Sequence, residues 1–334
     1  MEHRNSPIIG ITMGDAAGIG PEIIVKALAK NEVWDLCRPV VIGDIGVISD
    51  VMKCTRIELD VRSVDKIENI RFEQGVVDVV DLHNIDLKTL TMGKPQAMAG
   101  RASFEYVEKA VDLALSHVID AVTTAPISKK ALNLAGYHYP GHTEILADLT
   151  GSSDYAMMFF AGSLRTILTT IHMSLIQACA LIKKDNVLKT IKLGDQTLKR
   201  LGFEKPRLAV AGLNPHASEE GLFGDEEEEE ISPAIDTARG FGLDVSGPYS
   251  ADTIFYRARN GEFDLVVAMY HDQGCIPIKI MSFNVGVNVT VGLPIVRTSP
   301  DHGTAYRRAG LRLGTADPQS LIEALRLASK LADR

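Results

Sequence analysis

Short apolar runs rich in β-branched residues alternate along this chain with segments whose apolar positions recur every three or four residues. PIIGITMG (7–14), RPVVIGD (38–44), DAVTTAP (120–126), RTILTTIH (165–172), RLAVAGLNPH (207–216), DLVVAMYHDQG (264–274) and VGVNVTVGLPIVRT (285–298) read as buried strands, some running into a turn. PEIIVKALAK (21–30) reads as a helix opened by Pro21. SFEYVEKAVDLALSHV (103–118) sets Phe104, Val107, Val111, Ala114, Leu115 and Val118 on one helical face. SLIEALRLASKLA (320–332) is an amphipathic helix near the C-terminus. Strand–helix alternation of this kind predicts an α/β protein with a largely parallel sheet.

A chain of 334 residues suits two domains sharing a cleft, and buries enough apolar surface to need no disulfide or metal staple. Apolar residues make up 46% and charged residues 23%, as in ordinary globular proteins. The formal charge of −8 argues against a general nucleic-acid binder, since no basic excess exists to neutralise phosphates. Cys37, Cys54, Cys179 and Cys275 have no CxxC spacing and read as reduced thiols. The N-terminus makes a poor signal peptide, and no apolar stretch approaches the ~18 residues of a membrane span. A cytoplasmic protein without membrane contact is the expectation. The run GDEEEEEI (224–231) reads as the solvated first turn of a helix.

Three of the apolar strands end in histidines, His172, His216 and His271. In open α/β sheets ligands sit beyond the carboxyl ends of the strands. Each alone would pass for a capping or packing residue; together they suggest a convergent site, and neutral imidazoles suit a transition metal. Around His271 the motif YHDQGCIPIKI also holds Asp272, Gln273 and Lys279. A lysine inside an apolar strand is either an edge residue or a partly buried proton-transfer group. PGHTEILADLTG (140–151) places His142 and Thr143 where a helix begins, either as an ordinary cap or as an anion site. Asn288 and Arg297 lie on the 285–298 segment, and Arg297 could fork onto a carboxylate or phosphate.

MGDAAGIGPE (13–22) looks like a phosphate loop, but Pro21 and Glu22 stand where a P-loop needs lysine and a hydroxyl. Gly14, Gly18 and Gly20 also miss the G-x-G-x-x-G spacing of a dinucleotide fingerprint.

MGDAAGIGPE, PGHTE, NPHA, MYHDQG and VGLPIVRTSPDHGTA, in that order from about residue 8 to about 310, resemble the 4-hydroxythreonine-4-phosphate dehydrogenase family. The resemblance implies a two-domain α/β/α fold of the isocitrate and isopropylmalate dehydrogenase type. The implied domains are residues 1–134 with 300–334, and 135–299, with a cleft between them and at a homodimer interface. It implies His172, His216 and His271 as ligands of one divalent metal (Zn, Mg, Mn or Co) shared between dimer partners. It also implies His142, Thr143, Lys279, Asn288 and Arg297 as substrate-binding residues. Gly14, Asp15, Gly18, Asp301, His302, Gly303 and Thr304 match the cofactor side. Lys279 is the expected acid/base, with Asp252 or Asp272 as an orienting carboxylate. The chain departs from the family at Ala16, where proline is usual, and at Arg307 and Arg308, where an acidic residue often stands. The added positive charge makes NADP an alternative to NAD.

The implied reaction is NAD-dependent oxidation at C3 and decarboxylation of a phosphorylated four-carbon hydroxy acid. GRASFEYVEKA (100–110), NPHASEEGLFGDEE and SGPYSADTIF look closer to the branch acting on 4-phospho-D-threonate or 4-phospho-D-erythronate, which yields dihydroxyacetone phosphate. Alternatives are the vitamin B6 enzyme acting on 4-hydroxy-L-threonine 4-phosphate, and the branch oxidising dihydrodiol carboxylates. From other classes come a metal-dependent hydrolase or aldolase without NAD, and a non-catalytic binder.

Overall fold

The apolar run after Pro7 forms strand β1 (Ile8–Thr12), and Pro21 occupies the first turn of helix α1 (Gly20–Leu28), in the computed structural model, which describes residues 6–281 and 285–332. The chain continues through α2 (Asn31–Leu36), β2 (Arg38–Gly43), α3 (Ile45–Thr55), β3 (Asp60–Ser63) and β4 (Val76–Asp81). Next come α4 (Ala97–Leu115), β5 (Ala121–Thr124), α5 (Lys129–Leu134) and α6 (His142–Thr150). A second run holds β6 (Ala156–Ala161), β7 (Leu164–Leu168), α7 (Leu175–Ala180), α8 (Lys184–Arg200) and β8 (Leu208–Ala211). It goes on with α9 (Ser232–Gly240), β9 (Val245–Tyr249), α10 (Ala251–Arg259), β10 (Leu265–Ala268), α11 (His271–Met281) and β11 (Val287–Val291). The chain closes with β12 (Arg297–Pro300), α12 (Tyr306–Leu311) and α13 (Gln319–Ala332).

Two compact units result: Met1–Ser152 with Leu293–Arg334, and Ser153–Gly292. The breaks fall later and earlier than the expected 134/135 and 299/300. Helix α6 packs on α4, and β12 pairs with β5, so both belong to the first unit. The strands of the first unit lie in the order β3-β4-β2-β1-β5-β12, all parallel. Parallel strands are covered on both faces, which is why Ile9, Ile11, Val40, Val41 and Ile42 are all inaccessible to solvent. The amphipathic stripe of α13 buries Leu321, Ile322, Leu325 and Ala328.

The second unit orders its strands β11-β6-β7-β10-β8-β9. β7, β10, β8 and β9 run parallel; β6 is antiparallel to both β7 and β11. Its core gathers Phe159, Leu168, Ala209, Val266, Ile254 and Ile278.

Several expected strands are shorter. The 264–274 run supplies only β10; from His271 the chain is helical, so Lys279 lies exposed on α11 rather than in a strand or partly buried. Apolar alternation over IPIKIM cannot separate strand from helix at that length. Here Gly274, Cys275 and Ile278 face inward at helical spacing while Ile276 and Ile280 point out. The 285–298 run splits into β11 and β12, because Gly292 turns with φ +90° where a Cβ would strike the Asp154 carbonyl. All four cysteines are free thiols. Among the described residues, no helix is long and apolar enough to cross a membrane.

Candidate functional site

The three histidine-bearing strands are direct neighbours in the second unit, β7 beside β10 beside β8. His172 follows β7, His271 opens α11 after β10, and His216 follows β8, so all three stand past carboxyl ends of adjacent parallel strands. The His172 and His271 rings approach to 5.9 Å between centroids, tilted by 40°. His271 Nδ1 lies 2.7 Å from Asp272 Oδ1. An ionised carboxylate only accepts, so that bond puts the proton on Nδ1 and leaves Nε2 as a lone-pair donor.

The strand ends converge, but the three rings do not. His216 instead packs its ring beside Phe223, 6.5 Å between centroids. Among the described residues no group of three His, Cys, Asp or Glu side chains is gathered to hold a metal ion. Within one chain the His172 and His271 rings are neighbours, and the expected three-histidine set is not assembled among the described residues.

His216 sits at the start of an unusual backbone run. His216, Ala217, Ser218, Glu219 and Glu220 all have φ between +47° and +71°, one turn of left-handed helix ended by Gly221. Each non-glycine residue there costs roughly 1–2 kcal/mol, so the turn must be held from outside. Asn214 does this. Its N–H donates to Glu227 Oε1 at 2.7 Å, and its Nδ2 donates to Glu226 Oε2 at 2.7 Å and Glu227 Oε2 at 2.8 Å. The glutamate run is a helical turn leading into α9, as expected, but of its glutamates only Glu228 and Glu229 are exposed. It is a π turn over Glu227–Ile231 in which Glu227 is only 3% exposed and Glu230 accepts from Lys183 Nζ and the Lys184 N–H.

Other expected residues of this unit are spread out. Lys279 stands two helical turns beyond Asp272 on α11, on nearly the same face. Asp252 is exposed at the start of α10, where it accepts from Ser250 Oγ at 2.6 Å. Asn288 lies on β11 with its Oδ1 buried and lacking a hydrogen-bond partner.

In the first unit, residues far apart in sequence meet around the opening turn. Gly14 takes φ +70° where a Cβ would strike the Pro126 carbonyl, and a Cβ on Gly18 would press on Thr304 at 3.1 Å. The Ile19 N–H donates to the Thr304 carbonyl at 3.0 Å. The turn is thus a tight backbone crossing that brings GDAAGIG and DHGTA together. Glu22 in its first turn is fully buried and accepts from Lys26 and the Ala316 N–H. Asp15 is likewise inaccessible to solvent, with oxygens accepting from the Ala17 N–H and Tyr306 Oη. It braces the turn. Asp301 and His302 are half-buried and Gly303 exposed; His302 Nδ1 lies 3.2 Å from the Gly303 carbonyl.

At the start of α6, Gly141 is the extended cap residue; Thr143 lies inside the first turn and is buried. His142 Nε2 is buried with no hydrogen-bond partner. Desolvation, and then the Arg297 charge, hold the His142 imidazole well below its usual pKa, so it is neutral. Arg297 is 2% exposed and donates from Nη2 to Thr124 Oγ1 at 2.7 Å. Burial lowers it to about 9 although the Glu144 carboxylate pulls the other way. Arg297 and His142 are thus buried polar groups within electrostatic reach of each other and of Glu144. Thr124, Glu144, Asn214 and Glu227 carried no signal in isolation, because their roles depend on partners distant in sequence or on a buried turn.

A family model described as pyridoxal phosphate biosynthetic protein PdxA matches residues 35–328. The chain is 51% identical over 329 residues to a D-threonate 4-phosphate dehydrogenase of Cupriavidus necator, covering 98% of both chains. It is 48% identical to a 4-hydroxythreonine-4-phosphate dehydrogenase of Desulforapulum autotrophicum, covering 97% of this chain and 95% of the other. A crystal structure of a 4-hydroxythreonine-4-phosphate dehydrogenase from Burkholderia phymatum superimposes with TM-score 0.85 at 49% identity, covering 98% and 99%. A β-decarboxylating dehydrogenase from Thermococcus kodakarensis, TM-score 0.50 at 14% identity and covering 97% and 81%, shares the fold alone.

Proposed function

The chain belongs to the PdxA family, and on that premise we propose that it is an NAD-dependent dehydrogenase that oxidises and decarboxylates a 4-phosphorylated four-carbon hydroxy acid. 4-Phospho-D-threonate or 4-phospho-D-erythronate is the proposed substrate, with dihydroxyacetone phosphate and carbon dioxide as products. The observation that carries this reading is the full-length 51% identity to a D-threonate 4-phosphate dehydrogenase. The equally full-length relative named for 4-hydroxythreonine 4-phosphate keeps that substrate as the second reading.

Hydride leaves C3 for the nicotinamide while the C3 hydroxyl gives up its proton. The ketone so formed is β to the carboxylate; the C1–C2 bond then breaks, carbon dioxide leaves, and C2 of the enolate takes a proton. A divalent cation, when bound, would supply the Lewis acidity that acidifies the hydroxyl and steadies the enolate. His172 and His271 are its proposed ligands, with His216 contributed by a second copy in a homodimer. Each histidine segment carries exposed apolar side chains that a second copy would cover: Leu175 and Ile176, Leu222 and Phe223, Ile276 and Ile280. Lys279 is the proposed acid/base, and Asp272 orients His271. Asp252 is the alternative carboxylate. Arg297, His142, Thr143 and Asn288 are proposed to hold the anionic ends. The turn at Gly14 and Gly18 and the DHGTA segment are the proposed dinucleotide contacts, NAD ahead of NADP. The protein is proposed to work in the cytoplasm.

Turnover with NAD and NADP over the two phosphorylated four-carbon acids, 4-hydroxy-L-threonine 4-phosphate and a dihydrodiol carboxylate tests the reading. Reduced nicotinamide absorbance with 4-phospho-D-threonate or 4-phospho-D-erythronate, and dihydroxyacetone phosphate as product, is the expected result. Absorbance only with 4-hydroxy-L-threonine 4-phosphate would move the assignment to that substrate. No reduction with any of them favours a hydrolase or aldolase.

A further inference from the structure

The ladder between β10 and β8 runs from Leu265–Leu208 to Val267–Val210. Beyond it the strands are bridged by a side chain. The Met269 N–H donates to Gln273 Oε1 at 2.7 Å, and Gln273 Nε2 donates to the Gly212 carbonyl at 2.8 Å. The glutamine amide thus stands in for a peptide group between two strands, accepting from one and donating to the other. On the opposite side, the Met269 carbonyl accepts from Thr170 Oγ1 at 2.8 Å and the Thr170 N–H at 3.2 Å. One chain of hydrogen bonds, Thr170–Met269–Gln273–Gly212, therefore crosses the ends of β7, β10 and β8. Those are the strands that lead into His172, His271 and His216.

Position gives this bridge its meaning. From β8 the chain moves to β9 on one side, and from β10 it moves away toward β11 on the other. The gap between β10 and β8 is thus the topological switch point of this sheet, where ligands bind in open α/β folds. Gln273 is 8% exposed, so its amide is spent on these two bonds within the protein. Gly212 leaves room for the next segment: a Cβ on it would lie 2.9 Å from Ala217 Cα and 3.0 Å from Glu227 Oε1.

We propose that Gln273 is a positioning residue: its amide fixes the relative placement of the three histidine-bearing strand ends at the switch point. The inference rests on the catalytic reading given above. Losing both bonds frees the ends of β8 and β10 to shift, without removing any group that touches substrate.

The test uses the full chain and two variants, Gln273→Met and Gln273→Asn, with three measurements. These are kcat and KM for the acid the wild type turns over, Co²⁺ affinity by calorimetry, and the thermal midpoint without metal. Gln273→Met should lower kcat about tenfold or more with little change in KM, and weaken Co²⁺ by about tenfold. Gln273→Asn keeps the amide but is one methylene too short to reach both the Met269 N–H and the Gly212 carbonyl. It decides the matter if Gln273→Met does not fold: kcat and Co²⁺ affinity should fall in the same direction. Wild-type kcat and Co²⁺ affinity in whichever variant folds would overturn the proposal even if the thermal midpoint drops. If the wild type binds Co²⁺ but turns over none of the acids, the catalytic reading fails alone, and the Co²⁺ ratio decides the role of Gln273. Wild-type protein showing neither would overturn both.

Discussion

Tyr306 Oη donates to Asp15 Oδ2 at 2.6 Å, closing a contact between residues 291 positions apart. Asp15 is fully buried and its second oxygen takes the Ala17 N–H, so the GDAAGIG turn is locked to the start of α12. Burial pushes both groups upward in pKa, while the bond itself lowers Asp15 and raises Tyr306.

Tyr306→Phe removes only the hydroxyl, leaving a buried carboxylate oxygen without its donor. A loss of about 1–3 kcal/mol in denaturant unfolding is expected. If the turn carries the dinucleotide, KM for NAD should rise more than KM for the acid. An unchanged unfolding midpoint would show that the contact contributes nothing.

His142 makes stability depend on pH. Its folded pKa lies well below the 6.5 of the unfolded imidazole, so below about pH 6.5 the unfolded chain binds a proton that the native protein does not. Stability therefore falls as pH drops from about 6.5, by up to about 1.4 kcal/mol per pH unit from this group. Urea unfolding of His142→Gln between about pH 4.5 and 7.5 should show a shallower acid slope than wild type.

Glu227→Ala strips Asn214 of two acceptor oxygens beneath the left-handed turn. We expect a loss of about 1–3 kcal/mol, because the partly buried Asn214 N–H is orphaned and a strained turn loses its clamp. Limited proteolysis should then cut within residues 216–221, where the wild type resists.

Chelator treatment should abolish turnover, and added divalent metal should restore it. His172→Ala and His271→Ala should each weaken metal binding by about tenfold or more in calorimetry. A sharper test asks whether His216 serves a second copy. His216→Ala and His271→Ala, each inactive alone, should regain about one quarter of wild-type activity when unfolded together and refolded, since half the random dimers carry one intact site. No recovery in mixed dimers would sink the shared site.

The sequence by itself determined the class of fold and which histidines follow strands. Apolar runs alternating with helical stripes can only be buried in an α/β layering, which is why β1, α1, β2 and α13 stand where the pattern puts them. Histidines at strand ends are a local signal, and His172, His216 and His271 all follow strands as read. Their adjacency is not local. Only the pairing of β7 with β10 and of β10 with β8 brings those strand ends side by side. Lys279 moved from strand to helix because the short apolar run IPIKIM fits both periods, and burial against the sheet chose between them. The glutamate run looked solvated because charge seeks water; Glu227 went inside because Asn214 offers each of its carboxylate oxygens a donor, the backbone N–H to Oε1 and Nδ2 to Oε2. Gln273 was visible in its motif, but its function was not. A side-chain amide acts as a peptide only where two strands part, and only the tertiary fold sets where that happens.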